Sequence, residues 1–167
     1  QRAVPANFPL VFDMPFGSYN SLLATEKSIL QMRNAGISRV KIEGGKEILS
    51  RLSLLLSEGF EVVGHLGLLP QTAETFSLQG KTKESADRIL QDALILEKSG
   101  ISYLVLECIP ESLGKKITEE TSLSTIGIGA GRYTNGQILL FSDLVGRTDF
   151  EKKPRFVRSF GSVLKEE

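Results

Sequence analysis

The sequence predicts an α/β fold in which parallel strands and helices alternate as they do in a βα barrel. Two observations support this prediction. Short apolar runs alternate with amphipathic helical segments, an order typical of a parallel sheet with right-handed crossovers. Four of these runs also end in an ionisable side chain, and βα barrels place their catalytic groups where such buried strands end. The four strand ends are Asp13, Glu43, His65 and Glu107.

The first half of the chain contains three strands and two helices by this interpretation. A strand over 10–13 is followed by a helix over Leu22–Asn34, where apolar residues recur with a helical period. A second strand over 40–43 is followed by a helix over 48–56. The third strand is expected at 62–65.

The second half begins with the clearest helix, Lys83–Lys98, whose apolar residues recur at i, i+3, i+4, i+7 and i+8. Thr82 is the predicted N-cap of this helix, and Gly100 is predicted to end it in a left-handed conformation. A fourth strand over 104–107 and a weaker helix over Glu111–Glu120 follow.

Two further strands are predicted at 124–129 and 137–141, and an irregular segment at 68–81 is expected to be a substrate loop. Six strands are too few for a closed barrel, which has eight strands and typically about 250 residues. We therefore expect either an open sheet or a sequence that begins inside a longer protein. The start, 1–9, resembles the tail of a helix and a loop and favours the second alternative.

Composition predicts a single domain over residues 1–167. The 20 basic residues balance the 20 acidic ones, so overall charge gives no reason to expect binding to nucleic acid or to an acidic membrane. No apolar run approaches the roughly 20 residues of a membrane helix. The single cysteine, Cys108, cannot form an internal disulfide and is expected to be a small buried hydrophobe.

Lys41 and Glu43 form the most informative pair, because alternate residues of a strand point to the same face. Val40 and Ile42 are then expected to pack under the helices, with Lys41 and Glu43 pointing into the barrel mouth. Charges at that position need a partner or a ligand. The alternative is an internal ion pair that only fixes the strand register.

Asp13 and Glu43 together offer hard oxygen ligands at one rim, and two carboxylates completed by water and substrate oxygens are a usual way to hold Mg²⁺. The alternative for Asp13 alone is a helix or turn cap. Glu107 lies in an apolar strand, where a carboxylate becomes a competent base. His65, the only histidine, is about equally compatible with a structural role and with a site role.

The glycine-rich run at 127–131 does not match the dinucleotide fingerprint, since position 132 is Arg. Gly127 and Gly129 are instead expected to share one strand face and to leave room at the barrel mouth for a bulky ligand. Arg132 could serve a ligand anion, although a solvated loop arginine is the simpler interpretation.

Five collinear motifs resemble the ketopantoate hydroxymethyltransferase family from about residue 3 to 158. They are DMPFGSY at 13–19, VKIEGG at 40–45, GHLGL at 64–68, LVLECIP at 104–110 and IGIGAG at 126–131. The resemblance implies a (βα)8 TIM barrel of the phosphoenolpyruvate/pyruvate type, of which this chain carries six of the eight strands. It also implies a step of pantothenate synthesis, in which 5,10-methylenetetrahydrofolate donates one carbon to 3-methyl-2-oxobutanoate to give 2-dehydropantoate.

The resemblance also implies roles for the strand-end residues. Asp13 would bind Mg²⁺ and touch the substrate, Lys41 would bind the substrate's carboxylate end, and Glu43 would support Mg²⁺. Glu107 would accept the proton, and His65 would contact the substrate from the rim. Small-molecule substrates, a homo-oligomer and a cytoplasmic location, or a mitochondrial one in a eukaryote, are further implications.

The chain departs from the family pattern in four places. About seventy family residues, with two strands and an Asp-Ser pair that binds metal and substrate, have no counterpart before its start. The segment 72–80 is shorter by about three residues, and Ser142 stands where many relatives have His. The final barrel helix is expected to be cut short after 156–158. We therefore expect this chain not to be active by itself. The alternatives are a Mg²⁺-dependent 2-oxo acid lyase or mutase, and a non-catalytic assembly subunit.

Overall fold

A computed structural model describes residues 5, 8–147 and 156–161. Strands and helices alternate along the described part of the chain, as the sequence predicts. A 3-10 turn at Lys46–Ile48 precedes the second helix. The elements are β1 Phe12–Asp13, α1 Leu22–Asn34, β2 Arg39–Glu43, α2 Leu49–Ser57, β3 Glu61–Gly67, α3 Lys83–Lys98, β4 Tyr103–Glu107, α4 Glu111–Glu120, β5 Ser124–Ile128, β6 Gly136–Gln137 and α5 Phe141–Leu144.

The six strands form one parallel sheet in sequence order, from β1 at one edge to β6 at the other. Within the described residues the two edge strands do not pair with each other, so the barrel is partial. The predicted α/β class and the prediction of six strands are both confirmed. The prediction for 1–9 falls largely on residues 1–4 and 6–7, which lie outside the described residues, as do 148–155 and 162–167.

One face of the sheet packs against the helices and forms the main core. Val40, Ile42 and Leu106 from the strands are fully buried there against helical residues such as Leu55 and Leu96. Fully burying a leucine or valine side chain contributes about 1.5–3 kcal/mol, so this layer fixes which face of each strand is turned away from the helices. The opposite face carries a smaller cluster of Val63, Val105 and Ile128.

The predicted helices are confirmed to within about a residue, including the ends of α3. The Thr82 hydroxyl accepts a hydrogen bond from the Ser85 N–H at 3.2 Å, and the Thr82 N–H donates to the Ser85 hydroxyl at 3.0 Å. This reciprocal capping box satisfies donors that the first helical turn leaves free. Gly100 follows α3 with φ +98°, the left-handed conformation that glycine tolerates best.

The prediction of a strand over 137–141 is wrong beyond Gln137. Only Gly136–Gln137 pairs with β5, and the short helix α5 begins at Phe141. Leu140 and Phe141 are 55 % and 72 % exposed, so these apolar residues do not enter the core. Among the described residues β6 pairs with β5 alone, so no second strand extends its pairing. The first strand is likewise shorter than predicted, with pairing limited to Phe12 and Asp13.

We expect Thr82→Ala to lower the free energy of unfolding by about 1 kcal/mol, because it removes the side-chain acceptor of the α3 capping box. Urea denaturation followed by circular dichroism measures this change. Thr75→Ala is the matched control, since Thr75 is exposed in the 68–81 segment and its side chain makes no hydrogen bond within the described residues. Equal midpoints for the two variants would contradict the capping assignment.

Candidate active site

The parallel register places the predicted site residues on one face of the sheet, opposite the helices. Asp13 lies beside Lys41, and Glu43 lies beside His65. Gly67 at the end of β3 lies beside Glu107 at the end of β4. Residues that are partners in a parallel register point to the same face, and every second residue returns to it. The predicted inward orientation of Lys41 and Glu43 is therefore confirmed.

His65 is at the centre of this face, between two carboxylates. Its side chain is 1 % exposed, with Nε2 3.2 Å from Glu107 Oε2 and Nδ1 3.7 Å from Glu43 Oε1. Neither ring nitrogen is aligned as a hydrogen bond with any partner. The Glu43 side chain is 4 % exposed and that of Glu107 13 % exposed. This buried imidazole with two close carboxylates makes the face the candidate active site.

Asp13 and Lys41 form the second part of the site. The Lys41 Nζ lies 3.0 Å from Asp13 Oδ2, and the Lys41 side chain is 17 % exposed while that of Asp13 is 61 % exposed. Since β2 carries both Lys41 and Glu43 on the same face, this ion pair lies one step along the strand from the His65 cluster. The ammonium is available to an incoming anion at the more open end of the site.

Glu43 is held by two residues to which sequence reasoning gave no role. The Gln71 N–H donates to Glu43 Oε2 at 3.2 Å, and the Gln71 side-chain amide donates to the Met14 carbonyl at 3.0 Å. The Glu43 N–H donates to the Tyr19 hydroxyl oxygen at 3.2 Å. Burial raises the pKa of Tyr19, so the phenol stays protonated near neutral pH. Both residues lie in loops without periodic patterning, so only the tertiary structure brings them to Glu43.

The segment 68–81 is also joined to the strand that carries Glu107. The Leu68 N–H donates to the Glu107 carbonyl at 2.8 Å, and the Gln79 N–H donates to the Cys108 carbonyl at 2.7 Å. Cys108 has φ +48°, a conformation that is unusual for a residue other than glycine. It is half-buried, less so than predicted, because the strand ends at Glu107.

The prediction that Gly127 and Gly129 clear space at the barrel mouth is wrong. Gly127 is the register partner of Leu106 and therefore faces the helices, where a Cβ would meet the Thr134 and Gln137 side chains. Gly129 follows β5 with φ +66°, and a Cβ there would overlap the Phe156 ring. Gly127 therefore lies on the face of the sheet opposite to the predicted one.

Arg132 lies in the loop that follows, and its side chain is 79 % exposed. Its Nε lies 3.7 Å from Glu111 Oε2, and its guanidinium lies 5.7 Å from the centre of the Tyr133 ring. These contacts match the simpler interpretation of Arg132 as a solvated loop arginine.

The carboxylates of Asp13 and Glu43 fit a magnesium ion by the type of their donor atoms. Both offer hard oxygen ligands on the same face of the sheet, and Mg²⁺ is usually held by one or two carboxylates plus water and substrate oxygens. Within the described residues no group of three or more His, Cys, Asp or Glu side chains could hold a metal by itself.

The fold and site define a partial βα barrel with carboxylates and an imidazole at the carboxyl-terminal rim. The family model for ketopantoate hydroxymethyltransferase matches residues 1–166. The chain belongs to this family.

Curated relatives named 3-methyl-2-oxobutanoate hydroxymethyltransferase support the assignment. The protein from Buchnera aphidicola subsp. Schizaphis graminum is 46 % identical over 163 residues, which cover 96 % of this chain and 61 % of the relative. The protein from Heliobacterium modesticaldum is 44 % identical, and the match covers 97 % of this chain and 60 % of that relative. The chain thus spans about 60 % of the length of these relatives.

A solved structure of a phosphonomutase-like protein from Burkholderia cenocepacia J2315 resembles the fold. The TM-score is 0.58 at 15 % identity, covering 75 % of this chain and 55 % of that one. This similarity concerns the fold alone. No helix in the described ranges is long and apolar enough to cross a membrane.

We expect Gly67→Ala to destabilise the protein by clearly more than Gly59→Ala. Both glycines have positive φ, +94° and +82°, so an alanine is strained by roughly 1–2 kcal/mol at either position. Only at Gly67 would the new Cβ lie 2.2 Å from a backbone atom, the Glu107 carbonyl oxygen. Urea denaturation of both variants isolates the steric contribution, and equal destabilisation would contradict the close approach of β3 and β4.

We expect the Cys108 thiol to react slowly with iodoacetamide near neutral pH. Burial and the neighbouring Glu107 carboxylate raise its pKa, which lowers the thiolate fraction at any given pH below that value. Glu107→Gln removes the negative charge and should accelerate alkylation, shifting the rate profile to lower pH. Glu119→Gln, at the exposed end of α4, is the control; an unchanged Glu107→Gln profile would exclude the electrostatic contribution.

Proposed function

We propose that this chain forms the catalytic rim of an enzyme that transfers a hydroxymethyl group from 5,10-methylenetetrahydrofolate to 3-methyl-2-oxobutanoate. The product is 2-dehydropantoate, and the reaction belongs to pantothenate synthesis. The observation that supports this most is the cluster of Glu43, His65 and Glu107, in which a carboxylate at a strand end lies against a buried imidazole. The family membership supplies the reaction class.

Glu107 is proposed as the general base that takes the proton from C3 of the keto acid. The C3–H bond breaks and its proton moves to a Glu107 carboxylate oxygen, while a water molecule opens the methylene bridge of the folate by replacing one C–N bond with a C–O bond. The C3 carbon then bonds to that carbon as its second C–N bond breaks, which leaves a hydroxymethyl group on C3 and releases tetrahydrofolate. The His65 imidazole lies beside this base, with Nε2 3.2 Å from Glu107 Oε2. A positioned base contributes typically about 10²–10⁴-fold to rate.

Lys41 is proposed to bind the carboxylate of the substrate. Its ammonium is paired with Asp13 at 3.0 Å and is partly exposed, so a substrate carboxylate can approach the same ammonium. Positive charge at this position offsets the charge that develops on the substrate oxygens as C3 loses its proton.

Asp13 and Glu43 are proposed to hold Mg²⁺. When bound there, the ion supplies Lewis-acid polarisation of the keto group, which makes the C3 proton easier to remove. Glu43 is prepared for this role by the Gln71 N–H, which fixes one of its oxygens. Asp13 remains largely exposed and can share its carboxylate between Lys41 and a ligand.

The remaining proposals concern the setting of the enzyme. We propose a homo-oligomer and a cytoplasmic location. The family resemblance supports both, and no described residue identifies the interface.

We expect the enzyme of which this chain forms the catalytic rim to catalyse Mg²⁺-dependent exchange of the C3 proton of 3-methyl-2-oxobutanoate in deuterated water, which proton NMR follows. Glu107→Gln should slow this exchange by about 10²–10⁴-fold, because it removes the base while preserving the shape of the side chain. Glu43→Gln should weaken Mg²⁺-dependent binding of the keto acid, measured by calorimetry. Glu26→Gln, on the exposed face of α1, is the control for both measurements.

The same samples test the competing activities. Cleavage or rearrangement of a 2-oxo acid without folate would contradict the transferase proposal in favour of a lyase or mutase. Oligomers that neither bind the keto acid with Mg²⁺ nor exchange its proton would identify an assembly subunit.

A further inference from the structure

A separate cavity adjoins the rim on the side of β2. Its volume is about 230 Å³, and it lies between the β1–α1 loop, the start of α2 and the segment after β3. Glu43 lies at the boundary between this cavity and the His65 cluster. We call it the Arg51 pocket, and its lining residues are Phe16, Gly17, Tyr19, Asn20, Glu43, Glu47, Ile48, Arg51, Leu69 and Thr72.

Arg51 is the unusual member of this lining. Its Nε atom is sealed from solvent and has no hydrogen-bond partner. Within the described part of the chain it forms no ion pair either, although other arginines such as Arg33 and Arg39 pair with glutamates. Leaving a buried donor of a charged group unsatisfied is costly, so an acceptor supplied by a ligand would stabilise this arrangement.

The other polar groups of the pocket are not those of a simple anion site. Glu43 and Glu47 bring two carboxylates against one guanidinium, so the charged side chains of the lining sum to −1. Glu47 Oε1 accepts the Gly45 N–H at 2.8 Å, which fixes this carboxylate. A ligand that offers donors to carboxylates and an acceptor to Arg51 fits better than a free anion.

The apolar part of the pocket suits a flat ring. Phe16 is 67 % exposed and is free to cover a ligand, and Tyr19 is buried with its oxygen accepting the Glu43 N–H. Aromatic side chains favour stacked or edge contacts with other rings. A volume of about 230 Å³ is below the roughly 300–1,000 Å³ of pockets that enclose drug-sized molecules, so one small ring system fits and a long tail does not.

We propose that the Arg51 pocket binds a small uncharged heterocycle that contains one planar ring with hydrogen-bond donors and acceptors along its edge. This rests on the proposed function, in which the heterocycle is the pterin ring of the one-carbon donor. Arg51 donates to the ring carbonyl, and Glu47 accepts from ring N–H groups. The anionic tail of the donor lies outside the pocket. Because Glu43 lies between the pocket and His65, this arrangement brings the donor beside the keto acid.

The test is calorimetric titration of the 167-residue chain with 6-methyltetrahydropterin under anaerobic conditions, since every lining residue belongs to this chain. We expect binding that Arg51→Met weakens by about tenfold or more, as for loss of a charge-assisted hydrogen bond. Arg51→Lys should weaken it too, because an ammonium cannot reproduce the guanidinium fork. Arg88→Met, on the exposed surface of α3, is the matched control and should bind as the unaltered chain does.

Phe16→Ala is a second test that does not depend on the folding of the Arg51 variants. Phe16 is largely exposed, so its replacement removes only the contact of its ring with the ligand. It should also weaken pterin binding. No pterin binding, or equal loss in Arg88→Met, would overturn the proposal. Arg51-dependent binding of p-aminobenzoylglutamate instead of pterin would also overturn it, by making the pocket an anion site.

The result of the pterin titration can be distinguished from the result that tests the proposed function. If pterin fails to bind while C3 exchange depends on Glu107, the pocket assignment falls and the proposed function stands. If pterin binding depends on Arg51 while exchange is insensitive to Glu107→Gln, the pocket assignment stands and the proposed function falls.

Discussion

The site depends on burying one imidazole between two carboxylates. His65 can be almost completely buried beside Glu43 and Glu107 only if three consecutive strands keep their register, because a one-residue slip turns every side chain to the other face. The helix-side core enforces that register, since Val40, Ile42, Leu104 and Leu106 are fully buried on the opposite face. Packing on one side of the sheet therefore fixes the chemistry on the other.

Sequence reasoning located the strands and helices that have strong periodic patterns. The bounds of α1, α3 and α4 match their predictions because each has an apolar stripe, a cap or a terminal glycine. The segment after Gln137 was misassigned because Leu140 and Phe141 are apolar yet exposed. Composition alone does not distinguish an edge segment from a buried strand, since burial is decided by whether a neighbouring element is present to cover it.

For the site, the sequence was informative about strand ends and uninformative about loops. Five residues are predicted as site residues because each ends or interrupts an apolar run, and the register places them on one face: Asp13, Lys41, Glu43, His65 and Glu107. Tyr19, Gln71 and Arg51 contact or adjoin Glu43 from irregular segments and a helix, where no period marks them. Gly127 faces the helices because the parallel register pairs it with Leu106, and the sequence of β5 alone does not reveal that pairing.

The segment 68–81 touches the site at three points of its backbone. Its amides meet the Glu43 carboxylate, the Glu107 carbonyl and the Cys108 carbonyl. Glu43 and Glu107 come from different strands, yet the same segment forms hydrogen bonds with both. A displacement of this segment therefore alters the surroundings of the β2 and β4 strand ends together.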